Sequence, residues 1–132
     1  MDPINVLIVE DNFTFRTALR EILKTQFPNM AIEEAADGDE ALKKIHRCPP
    51  ALVFMDIKLP GENGLEITRR IKTEYPDMIV MILTSYDLPE YRDAAIRYGA
   101  NHFIIKGSST FEEIYSLIER IIASRGVRPP CA

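Results

Sequence analysis

Five side chains in this sequence form a set able to handle a phosphoryl group, if the fold brings them together: Glu10, Asp11, Asp56, Thr84 and Lys106. Each stands at the end of a short apolar run. Ile4 to Val9 leads to Glu10-Asp11, Ala51 to Met55 to Asp56, Met78 to Leu83 to Thr84-Ser85, and Asn101 to Ile105 to Lys106. Three carboxylates crowded at one rim repel, and each raises the pKa of the others. Something cationic must compensate. Lys106 is one source and a hard divalent cation is the other, with Mg2+ suited to one or two carboxylates plus waters and phosphoryl oxygens. Thr84 adds a hydroxyl donor for an oxyanion. A carboxylate nucleophile, a screening metal and two donors for the transferred group are the parts needed for phosphoryl transfer onto Asp56. An anionic donor would otherwise meet an anionic pocket, so metal dependence follows from the charges.

Taken one at a time, these residues have simpler uses. Asp11 or Asn12 fits a helix N-cap, Asp56 fits a cap on the turn at Leu59-Pro60-Gly61, Thr84-Ser85 fits a helix start, and a lone lysine fits a solvated charge. Their joint position decides the matter: together they occupy the end of every apolar run but one.

Those runs are the elements that must position the set. Ile4 to Val9, Met30 to Ala36, Ala51 to Met55, Met78 to Leu83 and Asn101 to Ile105 read as strands. The first, third and fourth are apolar on both faces, as a parallel strand covered by helices above and below requires. Ile32-Glu33-Glu34-Ala35 is more polar and suits a sheet edge. Between the runs the apolar period lengthens to that of a helix. Phe15, Ala18, Leu19, Ile22 and Leu23 make one stripe; Ala41, Leu42 and Ile45 a second; Ile67, Ile71 and Tyr75 a third, stopped by Pro76. Pro89 suits a first helical turn and Gly99 the end of that helix. The last helix opens on the capping box Thr110-Phe111-Glu112-Glu113, carries Ile114, Leu117, Ile118, Ile121 and Ile122, and stops at Gly126.

Five β-α units with short connections predict an α/β fold: a five-stranded parallel sheet in the order 2-1-3-4-5, a flavodoxin-like (βα)5 three-layer sandwich. Ligands of such sheets bind outside the carboxyl ends of the strands, at the switch point between strands one and three. That is where the five side chains stand.

Composition sets the outer bounds. A chain of 132 residues holds one ordinary domain. With 46% hydrophobic and 27% charged residues it can bury its own core. Sixteen basic against twenty acidic residues leave a net charge of −4, which excludes a basic nucleic-acid footprint over the chain as a whole. The start, Met1-Asp2-Pro3-Ile4-Asn5, lacks the pattern of a signal peptide, and no apolar run approaches the ~20 residues that span a bilayer. A cytoplasmic domain without membrane contact is the expectation. Cys48 and Cys131 form no metal-ligand spacing and read as two reduced thiols. Met55, Met78 and Met81 read as core.

The ordered motifs Val6-Leu7-Ile8-Val9-Glu10-Asp11, Phe54-Met55-Asp56-Ile57-Lys58-Leu59-Pro60-Gly61, Leu83-Thr84-Ser85 and Gly99-Ala100 through Ile105-Lys106-Gly107 resemble the receiver (CheY-like) domains of bacterial two-component response regulators. Ala35-Ala36-Asp37-Gly38, Gly64 to Ile71 and Tyr98-Gly99-Ala100 bring the chain nearer to the LuxR/NarL-type subgroup. The resemblance implies a receiver over residues 1–125, with 126–132 a tail or the start of an interdomain linker. It implies that Asp56 is the phosphoacceptor for a sensor histidine kinase, with Thr84 and Lys106 on the phosphoryl oxygens. Asp11, Asp56 and the backbone carbonyl of Lys58 would hold Mg2+, and Glu10 would act through a coordinated water. Phe103 stands where the family carries a rotating aromatic, here without a hydroxyl. Lys58 and Tyr86 stand at two variable positions that gate attacking water.

The same likeness implies a phosphoryl-accepting switch rather than an enzyme with an external substrate. It would homodimerise or dock an effector through the face of the fourth helix, fifth strand and fifth helix. The implied output is transcription, through a DNA-binding domain outside this chain. The alternative is a stand-alone receiver, or a pseudo-receiver acting only by protein-protein binding. Rivals from other classes fit less well. A haloacid-dehalogenase-like phosphatase or a toprim-type nuclease needs a second aspartate where Lys58 stands, and Glu10-Asp11-Asn12 would repel the phosphate of a flavin.

Overall fold

The computed structural model describes residues 4–107 and 111–124. Within them the chain alternates strand and helix five times: β1 (Asn5–Val9), α1 (Phe13–Gln26), β2 (Ala31–Ala35), α2 (Gly38–Arg47), β3 (Leu52–Met55), α3 (Gly64–Glu74), β4 (Ile79–Thr84), α4 (Pro89–Arg97), β5 (His102–Ile105) and α5 (Phe111–Ser124). The strands form one parallel sheet in the order β2-β1-β3-β4-β5, as the sequence predicts. Strand ends fall one residue from the predicted ones at several places. Met30, Ala51 and Met78 precede their strands, and Thr84 belongs to β4 rather than following it.

Burial explains the layers. All four residues of β3 and five of six in β4 are buried, because helices cover both faces of the central strands. On one face, Leu19 and Leu23 of α1 and Ile114, Ile118 and Ile121 of α5 pack against Ile8, Phe54 and Met81. On the other, Ala41 and Ile45 of α2, Leu65, Ile67 and Ile71 of α3, and Ala95 of α4 pack against Leu7, Val53 and Val80. The methionines at 55, 78 and 81 are core. Edge strand β2 keeps its acids paired at the surface: Arg47 meets Glu33 at 2.7 Å and Arg16 meets Glu34 at 2.9 Å.

Two readings are corrected. Ala18 sits at the margin of the α1 stripe and faces solvent, where a single methyl loses little by exposure. Cys48 is disulfide-bonded rather than a reduced thiol, and its sulfur also accepts a hydrogen bond from Asn5 Nδ2 at 3.2 Å. The expectations for Thr110, Gly126, Cys131 and the 126–132 tail lie outside the described residues. Among the described residues, no helix is long and apolar enough to cross a membrane.

Candidate functional site

Glu10 directly follows β1, Asp56 directly follows β3, Thr84 closes β4 and Lys106 directly follows β5. Backbone bonds lock these positions in register. The Asp56 N–H donates to the Val9 carbonyl at 3.1 Å and the Lys106 N–H to the Thr84 carbonyl at 2.8 Å. Parallel pairing of four strands therefore converts residues far apart in sequence into one rim. Glu10, Asp56 and Thr84 are buried, with exposures of 3%, 7% and 0%. Asp11 is exposed.

The Lys106 ammonium lies between the two buried carboxylates. It donates to Glu10 Oε1, and to Asp56 Oδ2 at 3.3 Å. Its other neighbour is the Phe15 ring, whose centroid is 4.1 Å away. Burial holds the Glu10 carboxyl above its ordinary pKa, opposed by hydrogen bonds from Lys106 and the Asn12 N–H. The Asp56 carboxylate adds to the upward push. Asp56 Oδ1 accepts the Ile57 N–H at 2.8 Å. Oδ1 thus ties Asp56 to its own loop while Oδ2 faces the lysine.

Carboxylate oxygens of Glu10, Asp11 and Asp56 lie within 4.8 Å of one another. Three hard anionic oxygens gathered around one position suit a small hard dication. Lys106 supplies only one positive charge against them.

Of the further parts of the site, only the Asn12 cap was legible in the sequence. Asn12 caps α1, its side chain accepting from the Phe15 N–H at 3.0 Å, while its own N–H donates to Glu10 Oε2 at 3.1 Å. The cap reading thus holds for Asn12, and the residue also holds Glu10. Arg16 donates to the Glu10 carbonyl at 2.7 Å. Gly64, capped into α3 by Asn63, passes so close to Asp56 that a Cβ there would stand 1.9 Å from the Asp56 carbonyl oxygen. Helix α3 is thereby seated against Asp56.

Above the rim, Lys58 is exposed, with its ammonium 5.3 Å from the Tyr86 ring centroid and 5.5 Å from that of Tyr91. Interaction with the Tyr91 hydroxyl, and secondarily with Tyr86, holds the Lys58 ammonium above its ordinary pKa. The Tyr86 N–H approaches Thr84 Oγ1 at 3.4 Å. Phe103 is half-buried on β5, with the Arg92 guanidinium 4.6 Å over its ring. A cation–aromatic contact stands where a hydroxyl would have offered a hydrogen bond.

Residues 6–119 match the response regulator receiver domain family. The chain is 34% identical over 119 residues to the oxygen regulatory protein NreC of Staphylococcus carnosus (strain TM300), covering 89% of this chain and 54% of that protein. It is 41% identical over 100 residues to protein-glutamate methylesterase/protein-glutamine glutaminase 4 of Myxococcus xanthus (strain DK1622), covering 75% of this chain and 28% of that one. It thus spans about half or less of the length of these relatives. The crystal structure of a LuxR-family two-component response regulator from Aurantimonas sp. SI85-9A1 superposes with a TM-score of 0.83 at 31% identity, over 93% of this chain and 87% of that one. The match runs through the alternating sheet that carries the acidic rim and its lysine, and the chain belongs to the response regulator receiver domain family of two-component systems, with LuxR/NarL-type regulators among the relatives it resembles.

Proposed function

We propose that Asp56 accepts a phosphoryl group from a phosphohistidine of a sensor histidine kinase in the cytoplasm. The observation that carries this reading is the Lys106 ammonium held between buried Glu10 and Asp56, 3.3 Å from the acceptor oxygen Oδ2. A buried carboxylate with a fixed cation beside it, at the open end of the sheet, is placed to attack phosphorus. The new bond joins an Asp56 oxygen to phosphorus, the bond from phosphorus to the donor's nitrogen breaks, and the imidazole leaves with a proton. Lys106 and Thr84 bind oxygens of the transferred group. Asp11, Asp56 and the Lys58 carbonyl would hold Mg2+, with Glu10 acting through a coordinated water. The ion, when bound, supplies the charge screening that lets an anionic donor approach three carboxylates.

The transferred group brings about two negative charges and three strong acceptors. Thr84 and Lys106 satisfy them by moving inward, and Phe103 takes the space Thr84 vacates. The face of α4, β5 and α5 then changes shape and dimerises or docks an effector, with transcription the output and the DNA-binding part outside this chain. On this reading the chain is a switch that catalyses only its own phosphorylation and dephosphorylation, with Lys58 and Tyr86 gating water.

Incubation with acetyl phosphate and Mg2+ is expected to add the mass of one phosphoryl group, and Asp56→Asn is expected to abolish the addition. Light scattering on the same samples is expected to show association only in the loaded protein. A wild-type chain that takes no phosphoryl group would instead be a pseudo-receiver acting by binding alone.

A further inference from the structure

Tyr91 belongs to none of the roles assigned so far. It is half-buried on α4, seven residues after the threonine of the site. Yet it completes a three-membered cluster above the rim. The Lys58 ammonium contacts both tyrosine rings, at 5.3 Å for Tyr86 and 5.5 Å for Tyr91. The rings themselves meet edge to face, with centroids 6.3 Å apart and planes at 85°. Each member therefore touches the other two.

The origins of the three residues matter. Lys58 stands two residues beyond Asp56, in the loop leaving β3, and Tyr86 two residues beyond Thr84, in the loop leaving β4. Strands β3 and β4 are neighbours in the sheet. A contact between these loops spans the strand ends, across the side of the rim between Asp56 and Thr84. Neither loop residue is fixed by burial: Lys58 is exposed and Tyr86 is 43% exposed. Left alone, a long, exposed ammonium side chain would sample many rotamers. Tyr91, half-buried and packed against the core on its face of the sheet, is the anchored member of the three.

We propose that Tyr91 is a positioning residue for the acceptor site: it holds the Lys58 ammonium against Tyr86, so that the pair covers Asp56 and prolongs the life of its phosphorylated form. This rests on the phosphoacceptor reading above. The step it controls is hydrolysis. A water oxygen bonds to phosphorus, the bond between phosphorus and the Asp56 oxygen breaks, the carboxylate is restored, and the water's protons pass to inorganic phosphate and solvent. The cluster slows this step by occupying the path of the water. It also ties the path to α4, so a shift of that helix opens or closes it.

The full chain, loaded with acetyl phosphate and Mg2+ and freed of donor, gives the test through release of inorganic phosphate. Tyr91→Ala is expected to shorten the phosphorylated lifetime about three- to tenfold, the range that loss of two aromatic contacts implies. Tyr91→Phe keeps the ring but gives up the hydroxyl beside the Lys58 ammonium, and its lifetime is expected to fall between those of the wild type and Tyr91→Ala. Tyr91→Leu keeps apolar packing without the ring and is expected to behave like Tyr91→Ala, so a misfolded alanine variant leaves the test standing. In a Lys58→Ala background, either change at Tyr91 is expected to add less than about twofold, because the partner is already gone. An unchanged lifetime in Tyr91→Leu would overturn the proposal, and so would effects that multiply in full with Lys58→Ala. Failure of the wild type to load overturns the phosphoacceptor reading itself, a different and separately visible result.

Discussion

Helices α3 and α4 cover the same face of the sheet and are held in opposite ways. Helix α3 buries Gly64, Leu65, Ile67, Thr68 and Ile71, and the Asn63 side chain caps it by accepting the Leu65 N–H at 2.7 Å. Helix α4 buries only Ala95, starts at Leu88 without a side-chain cap, and leaves Ile96 70% exposed. One helix carries the backbone against which Asp56 is seated; the other carries Tyr91 and lies beside Phe103. Elements that move are drawn from the weakly held part of a structure. Asp56 is thus built against the firmly held helix, and the face proposed to respond lies on the loosely held one.

The severest trial of this contrast is to cut one apolar side chain from each helix. Ile67→Ala on α3 is expected to cost about 4 kcal/mol of stability, transfer loss plus cavity. Ile96→Ala on α4 is expected to cost less than about 0.5 kcal/mol. Denaturant titration of both variants checks the pair, and equal costs would mean that α4 is held as firmly as α3.

A smaller effect tests the link between α3 and Asp56. Gly64→Ala drives a methyl into the Asp56 carbonyl, and the forced shift is expected to cost about 2–3 kcal/mol. Because that strain falls on the Asp56 backbone, the proposed phosphoryl loading from acetyl phosphate should slow as well. Ala95→Gly on α4 has no such neighbour, so its loading rate is the control.

The smallest effect concerns His102 on β5. Burial lowers its pKa below the ordinary 6.5, and the positive charge of Arg120 on α5 lowers it further. The unfolded chain therefore binds more protons than the folded one as pH falls through that range. Its contribution is complete above the ordinary value and is lost on acidification toward the lowered one. The melting temperature is accordingly expected to fall slightly between about pH 7.5 and about pH 5.5, and His102→Gln is expected to flatten that part of the curve. Partial exposure keeps the effect small.

Most of the architecture was legible because its signals are local. Val6 to Val9, Leu52 to Met55 and Val80 to Leu83 are apolar without alternation, and only a strand covered on both faces uses such a run. The order of the strands followed from the number of β-α units and the handedness of their crossovers. The rim followed from the order: once the strands are parallel, residues ending them must share an edge. Asn12 was readable as a cap because capping depends on neighbours three residues away. Arg16 on the Glu10 carbonyl, Phe15 beneath Lys106, and Gly64 against Asp56 were not readable, since each depends on how a helix is seated on the sheet. Cys48 shows the same limit from the other side: its spacing resembled no scaffold, and spacing alone does not state whether a thiol is paired.

Which residues can do chemistry, and at which strand ends they stand, was settled by the order of amino acids alone. Side-chain type and hydrophobic period are properties of short segments, and parallel pairing turns them into a place. What each of those residues touches was settled by the assembled fold. The Lys106 ammonium spans a separation of 96 residues to reach Glu10. Lys58 and Tyr86, read from the sequence as separate gate positions, became one cluster through Tyr91 on α4. Such contacts are set by helix tilt and rotation on the sheet. Those are fixed by the packing of whole cores, and no segment of the chain encodes them alone.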